Sequence, residues 1–370
     1  MKISQNQATI LVIAQGVAMF IVLAGFIATE SGRDGWLSIL LAFIIGALVT
    51  PIIIYIAKQF PSKTIIAYLP DVWGKVVGKI FGFLIILNLL ILAAIFFRGT
   101  TGNIKAMYIT TPQIILSGLS AIMVGYAIKQ GLEVLTRTSS FLLILLLISV
   151  VFTLLALLPD IKLSHIFPFL ENGFTPVIKG MPIILGVMVN LLVFIGFIYP
   201  GIKKPEKPNL KFGGAILFAG VFQSIIAIFY LGFYGLRIVQ NNVIHPYYNM
   251  LRYVELGEII SGFESLFVIV WLASTFFLLT GYLYPVIGGI ADIFSLKSYK
   301  PIVAPLLAIA VGLSVLIPSP LLNIRLYFIV NLYGSTSIGV IILLTFIMVL
   351  IKKKRGTLKT VKSTTKEQIK

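Results

Sequence analysis

Residues 256–294 read LGEIISGFESLFVIVWLASTFFLLTGYLYPVIGGIADIF. An apolar run of this length exceeds the roughly 20 residues that cross the hydrocarbon of a bilayer. It nevertheless begins beside Glu255 and Glu258 and carries Glu264 within it. Trp271 and Thr275 follow on the helical face of Glu264, because 264, 268, 271 and 275 fall at i, i+4, i+7 and i+11. A carboxylate inside a membrane span is expensive, so it normally faces a cavity, a partner or an ion path. The stretch points to a polytopic membrane protein that handles a small polar ligand.

Composition agrees. Hydrophobic residues make up 59% of the 370 residues and charged ones 11%, against about 25% charged in a soluble domain. There is no cysteine, which removes disulfides, thiol catalysis, iron–sulfur clusters, cysteine zinc sites and thioether or palmitoyl anchors. The net charge of +17 is not a nucleic-acid footprint, because eight of the 29 basic residues sit in the tail at Lys352, Lys353, Lys354, Arg355, Lys359, Lys362, Lys366 and Lys370. A polybasic segment directly after a span marks the cytoplasmic side and meets anionic lipid.

Ten spans are expected, each able to cross roughly 30 Å at about 1.5 Å per residue. They lie near Ala8–Ala28, Trp36–Ala57, Ile80–Phe97, Gln113–Ile128, Ser139–Leu158, Pro176–Tyr199, Phe212–Leu236, Ile259–Phe294, Ile302–Ile317 and Leu326–Ile351. The fold class is an all-α integral membrane protein. Residues 1–351 form one transmembrane domain, and 352–370 a basic cytoplasmic tail. Lysine and arginine concentrate in the segments that lie inside if the N-terminus is inside. The outer segments hold only Arg33, Arg98, Lys105, Lys162, Lys179, Arg237, Arg252 and Arg325. The positive-inside rule therefore puts both termini in the cytoplasm. Residues 60–79 and the Ile80 that follows place Ile65, Leu69, Trp73, Val76 and Ile80 at helical spacing between lysines, as in an amphipathic helix on the inner face or a packed interfacial linker. The outer segment 237–258, with His245-Pro246-Tyr247-Tyr248, is long enough to cover an outward-facing cavity.

Ten spans divide into two five-helix halves, about 1–158 and 176–351, and transporters of this size are often inverted repeats with broken first helices. Span 1 carries Gln15-Gly16-Val17-Ala18-Met19 and Gly25; span 6 carries Pro182, Gly186, Asn190 and Gly196. Either these residues break the helices and free backbone groups for a zwitterion, or the glycines let helices approach closely. Polar residues inside spans are few: Asn88, Asn190, Glu264 with Trp271, and Tyr327 with Asn331. A single asparagine often serves helix packing. Glu264 either pairs with Arg237 or Arg252 near the outer end or takes part in ligand or proton coupling. The candidate ligand set is Gln15, Gly16, Met19, Asn88, Gly186, Asn190, Glu264, Trp271 and Tyr327. Enzyme motifs such as a P-loop, His-Glu-x-x-His or Gly-x-Ser-x-Gly are missing. His165 and His245 fall in separate outer loops and make a poor metal site. No catalytic residue, metal or cofactor is expected.

The chain resembles the spore germination permease family, the B subunits of nutrient germinant receptors in endospore-forming bacteria. The likeness runs through Ile3-Ser4 with Gln7, Asp34-Gly35-Trp36, Pro61 with Tyr68, Gly74-Lys75 and Gly78-Lys79, and Pro200 with Lys203-Lys204. It is strongest at His245-Pro246-Tyr247-Tyr248 leading into Gly262-Phe263-Glu264 and Trp271. It implies the amino acid–polyamine–organocation architecture, a 5+5 inverted repeat with spans 1 and 6 broken around an amino-acid site that spans 3, 8 and 10 complete. It also implies a membrane A subunit and a lipoprotein C subunit as partners, in the spore inner membrane. Where the resemblance implies an acidic residue in span 6, this chain has Asn190, which weakens the case for proton coupling. Two functions follow as expectations: a receptor subunit that binds a nutrient and signals to its partners, or a proton-coupled amino-acid permease. A third, purely structural subunit would leave pocket substitutions silent.

Overall fold

The computed structural model describes residues 2–19, 30–107, 112–240, 246–252 and 264–358. Among these the only strand-like pairing is a parallel bridge between Ile3 and Ile202. The long helices are α1 (Gln5–Ala18), α2 (Gly35–Gln59), α3 (Ile65–Trp73), α4 (Lys75–Met107), α5 (Gln113–Gln130) and α6 (Leu132–Ala156). They continue with α7 (Thr175–Ile198), α8 (Pro208–Tyr234), α9 (Glu264–Ile293), α10 (Val303–Val315), α11 (Pro320–Ile329) and α12 (Thr336–Lys354). Each of the ten expected spans contains a helix, and among the described residues seven helices are long and apolar enough to cross a membrane. Burial separates centre from rim: α7 and α9 are the most enclosed spans at 78%, while α6 is 33% buried and turns Phe141, Ile144 and Ile148 outward.

Local chemistry sets the helix ends. Ser4 and Gln7 form a reciprocal capping box at the start of α1, satisfying two backbone donors that have no helical partner. Ile3 just before it donates to Gly201 O at 2.8 Å and accepts from Lys203 N at 2.8 Å. The N-terminus is thereby sewn to the turn after α7. At the opposite end, Asp34 is buried and accepts the Leu170 amide at 3.0 Å, and Trp36 meets Phe169 edge-on at 5.7 Å.

Two sequence expectations change here, for residues 60–79 and for span 6. The helix across 60–79 stops at Trp73, because Gly74 takes φ +83°, and Val76 and Ile80 belong to α4, where both are exposed. Gly74 and Gly78 are needed together: a Cβ on Gly78 would stand 2.4 Å from the Pro70 backbone, so the hairpin closes only without side chains there. The anticipated break in span 6 is absent, and α7 runs uninterrupted from Thr175 to Ile198. Gly186 is a point of contact, since its Cβ would lie 2.1 Å from Asn331 O. In span 10 the irregularity appears instead as a π segment, Val330–Ser335, between α11 and α12.

Candidate ligand-binding site

Helix α1 ends after 14 residues, with Met19 as a buried turn residue. This end lies against α8 and α9. Gly16 meets Ala219, to which a Cβ would come within 2.7 Å. One turn along α8, Gln223 Nε2 donates to Gly16 O at 2.7 Å and to Val17 O at 3.4 Å. Gln15 reaches the other way and lies over Gly281 of α9, where a Cβ would stand 2.0 Å from its amide. Gln15 is 4% exposed.

Helix α9 presents Trp271, Ser274, Thr275, Leu278 and Tyr282 along one stripe, the i, i+3, i+4, i+7, i+11 pattern of a single face. All are buried. Opposite them α4 offers Phe96 and Thr100, one turn apart. Tyr282 stacks on Phe96 at 5.4 Å, Phe96 meets Tyr327 of α11 edge-on at 5.9 Å, and the Thr100 and Thr275 hydroxyls are 3.2 Å apart. Among the described residues the hydroxyls of Ser274 and Tyr282 have no partner. Most buried polar groups in native proteins are hydrogen-bonded, and each exception calls for an explanation.

A second polar centre sits two turns nearer the start of α4, about 12 Å from Phe96 at 1.5 Å per residue. Asn88 Nδ2 donates to Asn190 Oδ1 at 3.2 Å and to Ser335 Oγ at 3.1 Å. Asn190 Nδ2 is shared among Gly186 O, Asn331 Oδ1 and Ser335 Oγ at 3.0–3.2 Å. Asn331 Nδ2 bonds Tyr327 O at 2.9 Å. The knot ties α4 and α7 to the π segment and consumes its own donors. It leaves little for a ligand in this conformation.

The structure thus sorts the anticipated residues. Gln15, Gly16 and Met19 meet at the α1 end, with Tyr327 and Trp271 on the adjoining aromatic wall. Asn88, Gly186 and Asn190 go to the knot. Glu264 opens α9, and its side chain lies outside the described residues, as do His245, Gly25 and Glu258. Sequence reasoning overlooked Phe96, Gln223, Ser274, Tyr282 and Ser335. Gln223 gave a usable signal, as the one glutamine in a 27-residue apolar helix. Tyr282 and Ser274 look like ordinary packing residues until their hydroxyls are traced.

A family model described as spore germination protein matches residues 2–320. The chain belongs to that family. It is 25% identical over 357 residues to spore germination protein XB of Bacillus anthracis, covering 94% of this chain and 98% of the relative. It is 24% identical over 295 residues to spore germination protein KB of Bacillus subtilis, covering 78% and 77%. Spore germination protein YndE of the same organism is 27% identical over 311 residues, covering 80% and 82%. Among solved structures, a nucleobase-cation-symport-1 family transporter in a closed conformation aligns with TM-score 0.64 at 16% identity, over 88% of this chain and 74% of that one. A Na+-coupled sialic acid symporter aligns at 0.63 and 14%, over 90% and 79%. At such identities the likeness establishes the fold, which is that of inverted-repeat transporters.

Proposed function

We propose that this spore germination protein is the membrane subunit that binds a small nutrient, an amino acid as the family resemblance implies, and signals to partner subunits in the spore inner membrane. The observation that carries this reading is the pair of buried, unpartnered hydroxyls on Ser274 and Tyr282. They lie on the α9 face that packs against Phe96, Thr100 and the Gln15 end of α1. A hydroxyl buried without a partner costs about 1–3 kcal/mol, so fold stability does not explain it; a hydrogen bond to a bound ligand does. Signalling further requires the ligand to bind one arrangement of the bundle better than another. The end of α1 and the π segment are the elements able to differ. A membrane A subunit and a lipoprotein C subunit are the partners that the family resemblance implies.

The test is nutrient-triggered dipicolinate release from spores stripped of other receptors, with this chain and its neighbouring subunits restored. Tyr282→Phe is expected to raise the nutrient concentration for half-maximal release by about tenfold, the worth of one hydrogen bond of about 1.4 kcal/mol. Its protein level and melting temperature should match or exceed the native chain's. Release with unchanged nutrient dependence would remove Tyr282 from the site. The transporter fold of the solved neighbours favours a second reading, secondary transport. Sustained nutrient uptake by vesicles carrying this chain alone would select it.

A further inference from the structure

A helix C-terminus ends in carbonyls without helical donors, and it concentrates about half a negative charge. Inside a membrane no bulk water relieves them, so the protein or an ion must. In inverted-repeat secondary transporters the carbonyl ends of discontinuous helices are where coupling cations are held. Both solved neighbours are named for cation coupling. In this chain the carbonyls of Gly16 and Val17 at the end of α1 already have a protein donor, Gln223 Nε2 at 2.7 and 3.4 Å. The contact is built in. Ala219 and Gln223 are one turn apart on the α8 face that meets Gly16, and Gln223 is fully enclosed at 0% exposure. Among the described residues its Oε1 has no partner. The amide therefore spends one end on the α1 carbonyls and leaves the other unsatisfied, a poor arrangement if stability alone placed it there.

We propose that the Gln223 amide is a fixed, uncharged replacement for a monovalent cation at the end of α1, so that the ligand site assembles without sodium. The inference deepens the nutrient-binding reading and rests on it for the role of the α1 end. Its chemistry is specific. Replacing the NH2 of Gln223 by oxygen, as in Gln223→Glu, turns a donor into an acceptor and gathers carboxylate and carbonyl oxygens at one point. Such a set of hard oxygen ligands suits an alkali cation.

The probe is the salt itself. The purified chain in detergent is melted at one alkaline pH and equal ionic strength in sodium, potassium or choline chloride, with no nutrient present. The native chain is expected to melt at the same temperature in all three. Gln223→Glu should melt lower in choline and recover by about 3 °C or more in sodium, a ligand-linked gain. A native chain stabilised by sodium over choline overturns the proposal, and so does a Gln223→Glu chain indifferent to the cation. If the glutamate variant does not fold, Gln223→Ala empties the amide's place beside the same carbonyls. Sodium should then raise its melting temperature, and indifference again overturns the proposal. Because no nutrient enters these measurements, their failure is separable from a failure of the Tyr282→Phe spore assay.

Discussion

Single residues in this protein act mainly through what they omit or leave unpaired. Gly186 omits a side chain so that α7 can touch the backbone of Asn331, which a Cβ would approach to 2.1 Å. That obstacle is backbone held within a hydrogen-bonded knot, so it cannot swing aside. Gly186→Ala is expected to cost about 1–3 kcal/mol through overpacking, read as a lower melting temperature of the purified chain. Gly281→Ala makes a useful contrast. Its clash at 2.0 Å is with the end of the Gln15 side chain, which can rotate away. Loss of nutrient response with nearly native stability is expected there, and a melting temperature as low as that of Gly186→Ala would contradict the distinction.

Among the elements, α3 illustrates how a short helix is held without a span of its own. Thr64 accepts from Ala67 N at 3.2 Å as the N-cap and donates to Asp292 Oδ2 at 2.5 Å, joining α3 to the end of α9. At its other end Trp73 Nε1 reaches Thr345 Oγ1 of α12 at 3.0 Å. Inside, Tyr68 stacks on Phe60 at 5.1 Å, and burial pushes its phenol pKa upward. Thr64→Val removes the cap and the Asp292 bond together and keeps the shape. The expected loss is about 1–2 kcal/mol, checked by thermal unfolding, and Thr64→Ser should restore most of it. The π segment belongs to the same scale. π-bulges recur at functional sites, and this one points Asn331 and Ser335 at Asn190.

At the scale of the whole molecule, the uneven distribution of lysine and arginine gives a testable orientation, both termini on the cytoplasmic side. With both termini inside, Lys207 lies on the cytoplasmic face and Glu171 on the opposite one. The chain has no cysteine, so single cysteines at these positions report cleanly. Lys207→Cys is expected to react with an impermeant maleimide only after the membrane is opened, and Glu171→Cys before. The reverse pattern would invert the topology. The helical membrane class and the places of the long apolar helices were legible because apolar length is a property of the chain itself. Less legible were the ends of α3 and the continuity of α7, since glycine and proline serve both breaks and close contacts.

The sequence by itself determined that this is a helical membrane protein, roughly where its spans run, and which family it resembles. Hydrophobic length and ordered motifs carry that information locally. Only the tertiary structure decided what the polar residues do. Asn88 and Asn190 were candidates for the ligand on type and depth alone, yet they bond each other across α4 and α7. Tyr282 and Ser274 seemed ordinary, and among the described residues their hydroxyls are two of the buried ones without a partner, the two that lie together beside Phe96 and Thr100. The physical reason is that a hydrogen bond needs two groups at about 3 Å. In a helical bundle the second group comes from a span hundreds of residues away, as with Asn88 and Ser335 or Gly16 and Gln223.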